Sequence, residues 1–592
     1  MSFTKDSDLV FPQSGSAAPS SNMVPDLTLG VDLKTIADWI TDYGLRSTRK
    51  NRRIWLVASV LIAVLYGVLF WRIVFAGPYT IPDDGRQHLF WMLRYVDPSA
   101  FPNDIIADYF QSVAPIGYKG LYWAGAKLGV HPFLLSKLLP PIIGLLGTIY
   151  CFYLTMTAIP SPLVAFTGTV ILNQSLWMWN ELASATPKAF NILLLLVFLF
   201  YTVRQRFLPV AIALGLQALF YPQTVFISVA VLGIRVIWPR RYGNAWQFFV
   251  LGLLVAVAGL LPYALDTSPY GPVVTVEQAQ AMVEFQPGGR NAFFYDDPLR
   301  YWLLAARSGF FPPVVPVTIC ASLLLPLLCR FRLSLLKTIT AEGSIFHQLG
   351  LASLLMFLVS HGVLFRLHLP SRYSRHSLKV IVAISAAMVL VALVDTLLRC
   401  LNRKRVWQQG VALLVVAVFS MITVGYPTLL DSFLNVVYVN SDRLALYEYL
   451  QQQPQDIQIA SLTKEAENIP TFTGRSVLVS PGHSLAYHQG YYGQIRPKIL
   501  ALMMAQYTPD IEVLRSVIQQ YNIDFWLVDD KSFNLDTLSD QWFGQFETEL
   551  TRAMEQLQQQ PSALQTRLST CTVVSDSGRQ LISADCLLEE AS

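Results

Sequence analysis

Apolar runs of about twenty residues recur along most of this chain, and no other feature restricts its fold so far. The first, "IWLVASVLIAVLYGVLFWRIVFA", extends from Ile54 to Ala76. A helix of that length crosses roughly 30 Å of hydrocarbon. Hydrocarbon offers no partner to a free amide or carbonyl, so such runs fold as helices. Eleven can be read, near 54–76, 134–157, 162–179, 189–203, 208–221, 224–238, 246–265, 312–329, 348–365, 379–398 and 407–428. Charged residues are 14% of the 592 and apolar ones 53%, where a soluble domain carries about a quarter charged. The sequence therefore predicts a polytopic α-helical membrane protein with about 11 transmembrane helices. The fifth and sixth runs are short and separated only by "YPQT", which predicts a tight hairpin or a broken, re-entrant pair.

Orientation follows from Lys and Arg. "RSTRKNRR" precedes the first run, and "RQR", "RVIWPRR", "RFRLSLLK" and "RCLNRKR" follow the fourth, sixth, eighth and tenth. All fall on one side if there are eleven spans and the N-terminus is cytoplasmic. That places the chain in the plasma (inner) membrane, with residues 1–45 as a mostly disordered cytoplasmic tail and 46–428 as the membrane domain. Loops 77–133, 266–311 and 366–378, and everything from 429 to 592, then lie outside. No cleavable signal peptide is visible. Residues 429–592 alternate strand-like "IQIASL", "SVLVS" and "DFWLVDD" with helical "DIEVLRSVIQQYN", which predicts an extracytoplasmic soluble α/β domain. Cys571 and Cys586 lie there and could pair on an oxidising side. The net charge of +4 says little, and no nucleic-acid partner is expected.

Directly after the first run stands "GPYTIPDDGRQHLFWMLRY". Asp83 and Asp84 could cap the helix that follows, but one Asp is enough for a cap, so the second is left to explain beside Arg86 and His88. The same loop carries Asp104 and Asp108. Its Leu89, Phe90, Met92, Leu93 and Val96 share one side, as in a helix lying in the membrane interface. In the second outer loop, "EFQPGGRNAFFYDDPLRYW" makes Arg290 and Asp296 candidates for ligand contact and Asp297 a helix cap. In the third, "RLHLPSRYSRH" gathers Arg372, Tyr373, Arg375 and His376; the alternative is a basic anchor at the interface. Glu181 and Lys188, in the outer turn "NELASATPK", are candidates to line a cavity. His483 and His488 have no third ligand in view, so no metal site is read there.

An N-terminus-in first span, an acidic pair, a long outer loop, many spans and a C-terminal outer domain resemble the C-type glycosyltransferase superfamily (GT-C). The likeness is architectural; its residue motif is only the "DD" of Asp83 and Asp84. The resemblance implies inverting transfer of a sugar from a polyprenyl-phosphate donor to a lipid, glycan or protein acceptor on the outer face. A lipid-phosphate sugar already carries its leaving group, so one carboxylate suffices as general base. Asp83 is favoured by analogy with the family, and the other would orient acceptor, loop or metal. The departing phosphate needs cations, and Arg suits it. An acidic pair can hold Mg²⁺ or Mn²⁺, while Arg alone can equally serve a lipid phosphate. The alternatives are a transporter or flippase of a polar or lipid-linked sugar, and a non-catalytic glycan-binding assembly protein. Transport predicts mid-span charges and matched half-repeats, and the sequence shows neither clearly.

Overall fold

The computed structural model describes residues 44–589, apart from 180, 240–241, 266–267, 331–333, 401–405, 431–433 and 435–437. The expected cytoplasmic tail lies outside the described residues but for its last two positions. Every apolar run carries helix: Arg49–Val74, Pro132–Ala158, Pro162–Trp177, Asn191–Val203, Phe207–Phe220, Gln223–Ile237, Ala245–Leu265, Val317–Arg330, Ser344–Gly362, Ser371–Cys400 and Val406–Ser420. Among the described residues six helices are long and apolar enough to cross a membrane; Asn191–Val203, Phe207–Phe220, Gln223–Ile237 and Val317–Arg330 belong to shorter apolar ones.

Helix Pro162–Trp177 lies at the centre, with every residue buried. It is apolar nearly all round, as a helix surrounded by others must be. Its few polar groups join neighbours: Asn173 donates to Thr148 at 2.8 Å and Gln174 to the Thr423 carbonyl at 2.7 Å. Between helices such bonds act as glue. Helices Phe207–Phe220 and Gln223–Ile237 are linked by Tyr221 and Pro222 alone and pack on each other.

The tenth run differs from expectation. Its helix starts at Ser371, so "SRYSRH" forms the first two turns instead of loop. Ser371, Tyr373, Ser374, His376 and Ser377 are buried there. These polar residues face protein, which is why their polarity misleads at the end of an apolar run.

Two small strands, β1 (Thr80–Pro82) and β2 (Tyr438–Asn440), pair antiparallel and join the loop after the first apolar helix to the start of the C-terminal region. Beyond β2 the chain forms a five-stranded sheet of β3 (Gln458–Ser461), β4 (Ser476–Val477), β5 (Phe525–Asp529), β6 (Thr572–Asp576) and β7 (Arg579–Ser583), ordered β4-β3-β5-β7-β6. β3 runs parallel to β4 and β5, while β7 is antiparallel to β5 and β6. Helices Gln489–Tyr507, Ile511–Tyr521 and Glu547–Gln559 accompany it, and Cys571 is disulfide-bonded to Cys586.

The loop after the first apolar helix also differs from expectation. Leu89, Phe90, Trp91 and Met92 are fully buried. Phe90 meets the His483 ring at 5.1 Å, and Tyr109 stacks on Tyr491 at 3.7 Å and 6°. The apolar side is covered by aromatic surface of the C-terminal region, a better-matched partner than lipid for flat rings.

Candidate active site

Asp83 and Asp84 follow β1 and open a short helix, Gly85–His88. A side chain at Gly85 would meet Pro82 at 2.9 Å, so the tight turn needs glycine there. Asp84 occupies the N-cap position, yet its carboxylate makes no capping bond. Both carboxylates are thus free of the bland role, and they turn to different partners.

Asp84 pairs with Lys188, which sits in the short Pro187–Phe190 turn ahead of helix Asn191–Val203. Burial opposes the charge on Asp84, but Lys188, with His88 and Arg372 adding, outweighs it and holds the carboxyl below its ordinary value. His88 beside it is pushed down to about 4, chiefly by burial. Arg372, in the first turn of helix Ser371–Cys400, is half-buried. Its guanidinium makes no hydrogen bond or ion pair with any described residue. Tyr221 and His368 face the same charge. His368 has φ +62, a left-handed backbone that favours glycine. Below this group Glu181 is buried against Lys379 at 2.7 Å and His376 at 3.3 Å.

Asp83 pairs with Arg86 on the other side. The same guanidinium reaches Glu467 at 2.6 Å and donates to Asn468 at 2.8 Å, both from the C-terminal region. The Arg86 carbonyl accepts from His483 Nε2 at 3.2 Å, and Ser480 Oγ donates to His483 Nδ1 at 2.6 Å. Arg86 is buried, whereas the Asp83 side chain is 42% exposed, the more open of the two aspartates.

The other sequence candidates divide. Arg290 binds the C-terminal loop, donating to the Pro481 and Gly482 carbonyls at 2.6 and 3.2 Å, and stands near enough to Glu467 and Asp83 for charge to act between them. Asp104 caps helix Ile105–Val113 through the Ile106 and Ala107 amides, and Asp108 pairs with Arg94 at 2.6 Å. Tyr373 points inward and donates to the Leu367 carbonyl at 2.7 Å. Arg375 spends its guanidinium on the Phe311, Ala306 and Leu304 carbonyls at 3.0, 3.1 and 3.2 Å, and His376 is buried beside Glu181. Of the residues expected from sequence to contact ligand, Asp104, Asp108, Tyr373 and Arg375 bond to neighbouring protein groups, and His376 lies beside Glu181. Asp296 is exposed, and Asp297 accepts from the Leu299 amide at 2.9 Å as a cap should.

Asp83 and Asp84 face different cations, and among the described residues no three His, Cys, Asp or Glu side chains come together. Cavities of about 410 Å³, beside Arg94 and Asn103, and about 330 Å³, lined by Leu390, Met421 and Tyr426, involve neither aspartate.

No protein-family model matches the sequence, and no curated protein sequence matches it. Solved structures do. The Archaeoglobus fulgidus oligosaccharyltransferase tethered with an acceptor peptide containing the NVT sequon gives a TM-score of 0.56 at 13% identity, over 87% of this chain and 72% of that one. AglB from the same organism, in complex with an inhibitory peptide and a dolichol-phosphate, gives 0.56 at 12% over 87% and 72%. ArnT from Cupriavidus metallidurans in the apo state gives 0.45 at 12% over 90% and 99%. Likeness at such identities speaks of architecture alone, and in architecture the chain is similar to these archaeal oligosaccharyltransferase structures.

Proposed function

We propose that this chain is an inverting glycosyltransferase that moves a sugar from a polyprenyl-phosphate donor to a lipid, glycan or protein acceptor on the outer face of the plasma (inner) membrane. One observation carries the proposal: the half-buried Arg372, its guanidinium without a partner among the described residues, stands with Lys188 beside Asp84. A guanidinium in that condition suits an anion, and a phosphate oxygen supplies the acceptors that its fork of donors lacks.

Asp83, the more exposed carboxylate, takes the proton of the acceptor hydroxyl. The acceptor oxygen bonds to the anomeric carbon from the face opposite the phosphate, the carbon–phosphate-oxygen bond breaks, and polyprenyl phosphate leaves as the anion. Arg372 receives the new charge, with Lys188 sharing it. Asp84 orients Lys188. No step is routed through a metal. The Cys571–Cys586 disulfide supports an oxidising, extracytoplasmic side for the C-terminal region. The fold of an enzyme that was solved with dolichol-phosphate and of one tethered to an acceptor peptide supports the substrate classes.

The test is transfer of labelled sugar from a panel of undecaprenyl- and dolichyl-phosphate sugars by the protein in nanodiscs. Asp83→Asn should abolish transfer while retaining donor binding. Transfer at the parental rate in Asp83→Asn, Asp84→Asn and the double variant would remove the assignment.

A further inference from the structure

We infer that Tyr487, contributed by the C-terminal region, is a specificity-determining residue whose hydroxyl binds a hydroxyl of the sugar carried by the donor. The inference rests on the glycosyltransferase reading and adds to it the group that selects the sugar.

The Tyr487 hydroxyl is closed off from water and has no hydrogen-bond partner among the described residues. A buried hydroxyl left in that state costs stability until a ligand completes it. Asn291, which bonds to the residue before it, repeats the pattern. Asn291 is fully buried, and its Oδ1 accepts from the Ala486 amide at 3.2 Å. That bond fixes which way the amide faces and leaves Nδ2 without an acceptor. Arg290 and Arg307 stand on either side of this stretch, Arg307 donating to the Arg290 and Ala292 carbonyls at 3.1 and 3.3 Å. The place is rich in donors and short of acceptors, and a sugar supplies oxygens.

Its position falls where the sugar has to lie. In an inverting displacement the anomeric carbon stands between the departing group and the base, here between Arg372 and Asp83. The Tyr487 ring packs against His368 at 6.2 Å, and His368 faces the charge of Arg372. On the other side, Tyr487 and Asp83 both lie close enough to Arg290 for charge to act between them. Phe285 and Phe365 flank the Tyr487 ring at 5.6 and 6.0 Å. Aromatic faces around a few polar groups suit a ring with an apolar face and a hydroxyl rim. The backbone here is held: the Tyr487 carbonyl accepts from the Val274 amide at 2.9 Å, and the Gln489 amide donates to the Pro272 carbonyl at 3.1 Å. The route in passes His368, whose side chain is exposed, and exposed side chains change rotamer in picoseconds to nanoseconds.

The test uses the full chain in nanodiscs and needs no turnover. Isothermal titration compares bare undecaprenyl phosphate with the same lipid carrying mannose, glucose, galactose or arabinose. The parent should bind at least one sugar-bearing lipid more tightly than the bare one. Tyr487→Phe keeps the ring and removes only the oxygen. It should leave Tm and the affinity for bare lipid unchanged, and weaken binding of the preferred sugar-bearing lipid about tenfold, the worth of one hydrogen bond. Deoxy analogues of that lipid locate the partner: one of them should bind the parent about tenfold more weakly and bind Tyr487→Phe no differently from the full sugar. Equal affinity of parent and Tyr487→Phe for every sugar-bearing lipid would overturn the inference. So would a fall in Tm with affinities unchanged, the mark of a purely structural hydroxyl, or a rise in KM confined to the acceptor. A parent that shows the Tyr487-dependent preference yet transfers no sugar would count against the glycosyltransferase reading alone.

Discussion

Asp84 and Lys188 stand 104 residues apart in sequence and form an ion pair where the loop after the first apolar helix meets the turn ahead of helix Asn191–Val203. Neither group is deep: the side chains are 30% and 23% exposed, so screening takes much of the Coulomb energy. Lys188→Met leaves a half-buried carboxylate without its main partner. The expected loss is about 1–2 kcal/mol of stability, read as a lower Tm in detergent, together with loss of sugar transfer. Asp84→Asn should cost less stability, since the freed ammonium can reach water.

Arg372 and Arg375 make the sharpest contrast on helix Ser371–Cys400. Arg372 has no bonding partner among the described residues, while Arg375 holds three backbone carbonyls of the segment 304–311. Arg372→Gln should leave Tm unchanged and weaken binding of undecaprenyl phosphate about 10- to 100-fold, the worth of a hydrogen bond to a charged group. Arg375→Gln should do the reverse, lowering Tm with a smaller effect on binding. Isothermal titration and thermal unfolding on both variants separate the two roles.

What the sequence made legible depended on whether a residue's role was local. An apolar run needs no partner to declare a helix, so all eleven runs could be placed. Asp297 caps its own turn, and Lys188 stood out as a cation in an outer turn. The division of Arg86 was not readable: its partners Glu467 and Asn468 come from the C-terminal region, Asn468 being 382 residues away. Nothing in "TKEAENIP" marks an ion-pair partner. The local partners of Asp104 and Tyr373 were not readable either, since a polar residue in a candidate loop looks the same whether it meets ligand or backbone.

Acid should destabilise the protein through buried histidines. His483 is 1% exposed with a pKa pushed down to about 3, and His88 is pushed down to about 4, both chiefly by burial. Unfolded, each binds a proton near pH 6.5, so the unfolded state holds more protons between 6.5 and the folded values. Stability therefore rises with pH across that window and is fully present above it. For His483 the loss is about 1.4 kcal/mol per pH unit below 6.5. Thermal unfolding between pH 7.5 and 5 should show a falling Tm, and His483→Gln should flatten the slope.

The bond between Cys571 and Cys586 ties the short helix Ala584–Leu588 to the short helix Leu568–Cys571 that precedes β6, across 15 residues. Closing a loop of that length removes conformational freedom from the unfolded chain worth about 3 kcal/mol. The paired variant Cys571→Ser/Cys586→Ser should unfold in its C-terminal region at lower temperature, and reduction of the parent with a membrane-impermeant phosphine should give the same Tm. The experiment also reads sidedness. In sealed, right-side-out vesicles the phosphine reaches the bond only if the C-terminal region faces outward, so protection there with reaction in inverted vesicles would place the acidic pair's partner region in the cytoplasm and remove the outer-face reaction.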